Sequence, residues 1–174
     1  LPRPAVPWQQ LAAYGLLIGA GQFGLLYIAL NGHISPGLAS LVIQTQVFFT
    51  IALAMRFSGE RLRGVQWLAL ALAAGGIGVI AAHTDGHTRV SGLLLVLCAA
   101  ASWAAGNIVA TRARGVNTLA YVVWASAYAI GPLLALSLVF EGWPASRSSL
   151  AVAGPEVWAA VLWQSWGNTL FGYA

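Results

Sequence analysis

The side chains that could do chemistry in this sequence are neutral amides and hydroxyls set inside long apolar runs. They are Gln22, then Ser40, Gln44, Thr45, Gln46 and Thr50, then Ser102 and Asn107, Ser126, and finally Gln164, Ser165 and Asn168. Amides and hydroxyls both donate and accept hydrogen bonds without a fixed buried charge, which suits a zwitterionic or neutral polar small molecule. Such groups cannot face lipid cheaply. Each must bond a neighbouring helix or line a pathway, and the density between Ser40 and Thr50 is hard to assign to interhelical bonding alone. Ser40 and Gln44 share one helical face, whereas Gln46 lies about 200° round from Gln44. One glutamine of the two can line a pathway while the other bonds a neighbour.

Other chemistries find no footing. The four acids, Glu60, Asp85, Glu141 and Glu156, all fall between apolar runs, and no pair of them is bracketed by a plausible base or metal ligand. An enzyme is not expected. No ionisable side chain lies in the middle of any run, so nothing here supports a proton relay of intramembrane carboxylates. Cys98 is the single cysteine, which excludes an internal disulfide. Gly19-Ala-Gly-Gln-Phe-Gly24 fits a dinucleotide fingerprint in letters only, because it lies inside an apolar helix and not at a strand-to-helix turn. His83 and His87 bracket Asp85 at a spacing that could ligate zinc, but the Asp-Gly pair reads as a turn and no fourth ligand is evident. No metal and no cofactor are expected.

The elements that hold these side chains follow from composition. Of 174 residues, 59% are apolar and 7% charged, where a soluble domain carries about 25% charged residues. Six apolar runs stand out: Leu11 to Leu30, Gly37 to Phe57, Val65 to Ala82, Gly92 to Ala110, Leu119 to Phe140 and Val157 to Ala174. A bilayer core about 30 Å thick needs about 20 helical residues, and eighteen, the shortest run here, rise about 27 Å. The fold class is therefore an all-α integral membrane protein, a polytopic helix bundle with six spans present. Gly15 and Gly19 form a GxxxG, and Ala71/Gly75, Ala74/Gly78 and Ala101/Ala105 repeat the small-residue spacing that lets membrane helices approach closely. The connection from Glu141 to Glu156, rich in Pro, Ser and Gly, reads as a loop.

Arginine placement orients the bundle. There is no lysine, and six of eight arginines (Arg3, Arg56, Arg61, Arg63, Arg112 and Arg114) fall on one side, leaving Arg89 and Arg147 on the other. The arginine-rich side is cytoplasmic by the positive-inside rule, so the chain starts in the cytoplasm and its odd-numbered spans run outward. Trp8, Trp67, Trp143 and Trp158 lie near span ends as an aromatic belt requires, while Trp103, Trp124, Trp163 and Trp166 sit deeper, where they pack or line a cavity. The basic charge needs no nucleic acid to explain it, since no basic run with interleaved aromatics is present. The lipid bilayer and a small-molecule substrate are the expected partners, and a homo-oligomer is left open. Leu1 to Pro7 carries no signal-peptide pattern, and span six stops without a polar anchor, so a fragment of a longer chain is expected.

Pro36-Gly-Leu-Ala-Ser-Leu-Val-Ile-Gln-Thr-Gln-Val-Phe-Phe-Thr50, Phe57-Ser-Gly-Glu-Arg-Leu-Arg-Gly-Val-Gln66 and Ala74-Gly-Gly-Ile-Gly78 closely resemble the EamA-like transporters of the drug/metabolite transporter superfamily. The Leu38-to-Thr50 run, with Ser102-Trp-Ala-Ala-Gly-Asn107, looks like the O-acetylserine/cysteine exporter branch. The resemblance implies ten helices in two inverted five-helix repeats (5+5), of which these six correspond to helices three to eight. Residues 1–83 would then be the last three spans of the first repeat, and 84–174 the first three spans of the second. Inverted repeats pair spans one and six, and Gly21-Gln22 with Tyr27 has the spacing of Gly167-Asn168 with Tyr173. Glu60 and Arg61 are read as fixing the entry to span three, with Glu60 favoured by the helix dipole.

These readings converge on an efflux carrier of the bacterial inner membrane for small amino-acid metabolites, of the cysteine or O-acetylserine type, working by alternating access. Gln22, Gln44 or Gln46, and Asn107 would hydrogen-bond the substrate's ammonium and carboxylate, Trp103 would bound the cavity, and Asn168 would match Gln22 in depth. The alternatives are another substrate of the same superfamily or a non-transporting membrane fragment.

Overall fold

A computed structural model describes residues 1–58, 64–82 and 89–167. Among these residues every regular element is helical. Four helices are long and apolar enough to cross a membrane: α1 (Trp8–Leu30), α2 (Pro36–Phe57), α4 (Val90–Ala110) and α5 (Thr118–Phe140). Between them lies α3 (Gly64–Ala82), and α6 (Gly142–Val152) and α7 (Pro155–Leu162) follow. Four of the six expected spans are thus helices of membrane-crossing length. The third is a helix whose described side chains are exposed apart from Leu70, and the sixth is described only as far as Gly167.

Local chemistry sets the helix starts. Ser35 caps α2, its Oγ accepting from the Leu38 amide at 3.4 Å, and Pro36 occupies the first turn, where its missing N–H removes no helical bond. Asn117 caps α5 through Oδ1 and the Ala120 amide at 2.9 Å. Pro132 lies inside α5, a break in the ladder that membrane helices tolerate. The connection from Glu141 to Glu156 departs from its reading as a loop, since Gly142 to Val152 is helical. Gly142, at φ +76°, turns the chain out of α5. Pro144 then falls in the first turn, and the Ser146 and Ser148 hydroxyls donate to the Gly142 and Ala145 carbonyls, so loop-type residues find partners on their own helix.

Packing shows the relative direction of three spans. On α1, Gly15 lies against the Ala125 backbone, Gly19 against Ala129 and Gly24 beside Leu136, and Tyr27 bonds Glu141. Positions climb together on the two chains, so α1 and α5 are parallel. Against α4 they climb oppositely: Gln10 Nε2 donates to the Val109 carbonyl at 3.2 Å, Gly21 meets Ser102, and Gly92 meets the His33 backbone. The alternation expected of successive spans is therefore present in their packing.

Two apolar clusters form the core. Ala29 of α1, Leu38, Ala39, Val42 and Ile43 of α2, and Val96, Ala99 and Ala100 of α4 make one, with Ile34 from the connection. Leu11 and Tyr14 of α1 with Tyr121 and Ala125 of α5 make the other, the two tyrosine rings edge-on at 5.1 Å. Alanine and glycine dominate because membrane helices associate by close van der Waals fit and not by escaping water. The GxxxG of α1 works this way against Ala125 and Ala129. On α4 the fully buried alanines are Ala99, Ala100 and Ala104, whereas Ala101 and Ala105 are half-buried. Around Gly75 and Gly78 of α3, apart from the adjoining backbone of that helix and the two chain neighbours, no described atom comes within 4 Å of where a Cβ would sit.

Candidate functional site

The middle of α1 is unusual. From Leu16 to Gly24 it widens into π-helical turns, whose i→i+5 bonding is most often found as single turns at functional positions. A side chain from α4 meets the ladder within this segment: Ser102 Oγ donates to the Leu17 carbonyl at 2.8 Å, the kind of contact that accompanies departures from regular helix. Glycine at 21 makes room, since a Cβ there would overlap the Ser102 hydroxyl. Ser102→Ala should lose that bond, worth about 0.5–1.5 kcal/mol. A lowered unfolding midpoint of the complete protein, with the α4 side of α1 loosened in hydrogen exchange, is the expected readout.

Gln22 sits within the widened segment. Its side chain is 5% exposed, and its Oε1 finds no hydrogen-bond partner among the described residues. Trp103 and Asn107 lie one turn apart on α4, immediately after Ser102 and Gly106, two of the α4 residues that press on α1. Trp103 packs on the cluster containing Ala29 and Val42, and Asn107 is half-buried. The structure therefore places Gln22, Trp103 and Asn107 on one packed helix pair. Gln44 falls in a short tighter turn of α2 and is exposed, whereas Gln46 is half-buried at the start of the segment of α2 that packs along α4. The Ser40 and Thr45 hydroxyls turn back onto the Gly37 and Val42 carbonyls, each at 2.7 Å, which accounts for part of the polar density in this span. Asn168 lies outside the described residues, as do His83, Asp85, His87, Glu60 and Arg61. Among the described residues no group of three His, Cys, Asp or Glu side chains could hold a metal ion.

Of the cavities that lie elsewhere, along the α1–α5 face, two carry polar side chains. One, of about 350 Å³, is lined by apolar side chains with Tyr14, Ser126 and Gln164 as its polar residues, a volume within the range of small-molecule pockets. Tyr14 carried no sequence signal, because at its position an aromatic reads as part of the apolar face. The other, of about 250 Å³, lies at the C-terminal ends of the two helices and includes Phe23, Tyr27, Ser137 and Glu141. Here the Tyr27 hydroxyl donates to Glu141 Oε1 at 2.6 Å and the Ser137 hydroxyl to Oε2 at 3.1 Å. These bonds, the tyrosine's first, hold the Glu141 carboxyl below its ordinary pKa. Sequence reading left Glu141 in a connection with no partner, and the structure joins it to α1. Of the deeper tryptophans, Trp124 is partly exposed and donates its indole N–H to the Leu1 carbonyl at 3.2 Å. Trp163 and Trp166 are exposed.

Apolar helices of membrane-crossing length, joined through small residues and carrying neutral polar groups, define a multi-pass membrane protein. Residues 1–82 match the EamA-like transporter family. It is 38% identical over 177 residues to a protein of Salmonella typhimurium (strain LT2) called a probable amino-acid metabolite efflux pump, a match that covers 98% of this chain and 59% of that protein. The protein of the same description in Escherichia coli (strain K12) is 36% identical over the same shares. A probable terminal-alkyne amino-acid exporter of Streptantibioticus cattleyicolor is 30% identical over 94% of this chain and 52% of its own length. The chain thus spans about three-fifths or less of these curated relatives. No solved structure matches it.

Proposed function

We propose that this chain forms part of an inner-membrane efflux carrier for small amino-acid metabolites, of the cysteine or O-acetylserine type, that works by alternating access between two repeats, residues 1–83 belonging to the first and 84–174 to the second. The observation that carries the reading is the similarity, over 98% of the chain, to proteins called probable amino-acid metabolite efflux pumps. The chemistry of the helix interiors supports it, since amides and hydroxyls complement an ammonium and a carboxylate without a fixed buried charge. Gln22, Gln44 or Gln46, and Asn107 hydrogen-bond the cargo, Trp103 walls the cavity, and Asn168 faces it from the opposite repeat at the depth of Gln22.

The test is efflux of labelled cysteine and O-acetylserine from cells expressing the complete gene. Export above the level of cells lacking it is expected, and Gln44→Ala with Asn107→Ala should lower it about tenfold. Unchanged export in both variants would remove the site assignment and leave the carrier reading intact. No export of either compound by inserted wild-type protein would overturn the cargo.

A further inference from the structure

We propose that the smaller cavity at the C-terminal ends of α1 and α5 is a binding site for a primary ammonium group, with Glu141 as its carboxylate. The inference extends the carrier reading, on which its biological occupant, the α-ammonium of an amino-acid cargo, rests. Three observations support it.

First, Glu141 is held but not saturated. Tyr27 and Ser137 each give one hydrogen bond, one to each carboxylate oxygen, the Ser146 hydroxyl lies within reach as a third donor, and a carboxylate offers about four lone-pair sites. No arginine pairs with it among the described residues, so its charge is without a counter-ion there. Second, the walls suit a small organic cation: Phe23, Tyr27, Leu133 and Leu136 line the cavity beside the carboxylate, and the Tyr27 ring is fixed edge-on against Phe140 at 6.4 Å and 86°. Third, the cavity has a neighbour. Phe23 and Leu133 line both this cavity and the larger one that holds Tyr14, Ser126 and Gln164. These two side chains are all that the two linings share, and a ligand moving along the α1–α5 face passes them to reach Glu141. An incoming ammonium can either add to the free lone pairs or displace the Tyr27 hydroxyl, which would release α1 from α5 at that end.

The probe is n-propylammonium chloride, titrated into the purified complete protein and read by intrinsic fluorescence and thermal shift, with 1-propanol and sodium chloride as the uncharged and salt controls. A saturable response to propylammonium alone is expected. Glu141→Gln should weaken it at least tenfold, while Tyr27→Phe, which keeps the ring and removes the competing donor, should leave it equal or tighter. Should Glu141→Gln fail to fold, wild-type protein still decides the matter, because tetramethylammonium carries the charge without an N–H and should compete at least tenfold more weakly. The proposal is overturned if Glu141→Gln binds propylammonium like wild type, if Tyr27→Phe weakens binding as much as Glu141→Gln does, as a purely structural clasp requires, or if tetramethylammonium competes equally well. Cysteine efflux measured in parallel separates the two readings. Efflux with Glu141-independent propylammonium binding removes this site alone; Glu141-dependent binding without efflux removes the cargo alone.

Discussion

Gln22→Leu should raise the unfolding midpoint of the complete protein and cut export at least tenfold. The two effects have one origin. The Gln22 side chain is 5% exposed, and its carbonyl oxygen lacks a partner among the described residues. A buried acceptor left unmet costs about 1–3 kcal/mol, and leucine fills a similar volume with no polar atom to satisfy. Stability should therefore rise by roughly that amount, while the cargo loses the amide proposed to receive it. Thermal unfolding in detergent and efflux from cells give the two readouts. A variant that is less stable than wild type would mean that the amide already serves a structural bond, and Gln22 would leave the proposed site.

The second large effect is expected at Gly15. A Cβ at this position would overlap the Ala125 carbonyl oxygen and lie 3.2 Å from the Tyr128 Cβ. Because the obstacle is backbone, no rotamer change relieves it, and α1 must move away from α5. Overpacking of a core commonly costs about 1–3 kcal/mol, and Gly15→Leu should exceed that range, since separation of the helices also breaks the neighbouring Tyr14–Tyr121 contact. Gly15→Ala should already lower the melting temperature, and Gly15→Leu should remove the monodisperse peak in size-exclusion chromatography. A leucine variant with a wild-type profile would show that the two helices do not approach this closely.

Residue order made the spans legible and the long-range contacts not. The four helices of membrane-crossing length begin within three residues of their expected starts and end where expected, because bilayer thickness writes itself into the length of an apolar run. The GxxxG on α1 was legible for the same reason, a spacing of four being a fixed property of the helix. Tyr27 and Glu141 are 114 positions apart, and no periodicity connects them; only the parallel packing of α1 and α5 does. The helix at Gly142–Val152 was hidden because Ser, Pro and Gly favour loops on average, while here each has a helical role. The widened turns of α1 were hidden too, since the hydroxyl that bonds their ladder belongs to another helix. Of the candidate site, Gln22, Trp103 and Asn107 could be named from residue type and resemblance. That Gln22 would be buried with an unmet acceptor, and that Gln44 would be the more exposed of the α2 glutamines, required the packing.

The widened segment of α1 also bears on how its relatives should be aligned. A π turn stores an additional residue within one helical turn, so the chain between the Gly15 contact and the Tyr27 contact is longer than the axial distance an ordinary helix would need. A homologue one residue shorter between Leu16 and Gly24 could take up the loss by narrowing a turn, with Gly15 and Tyr27 still facing α5. Alignment gaps inside an apolar span are ordinarily penalised as implausible, but in this stretch a single-residue gap is structurally inexpensive, and the register of Gln22 against its relatives depends on where that gap is placed.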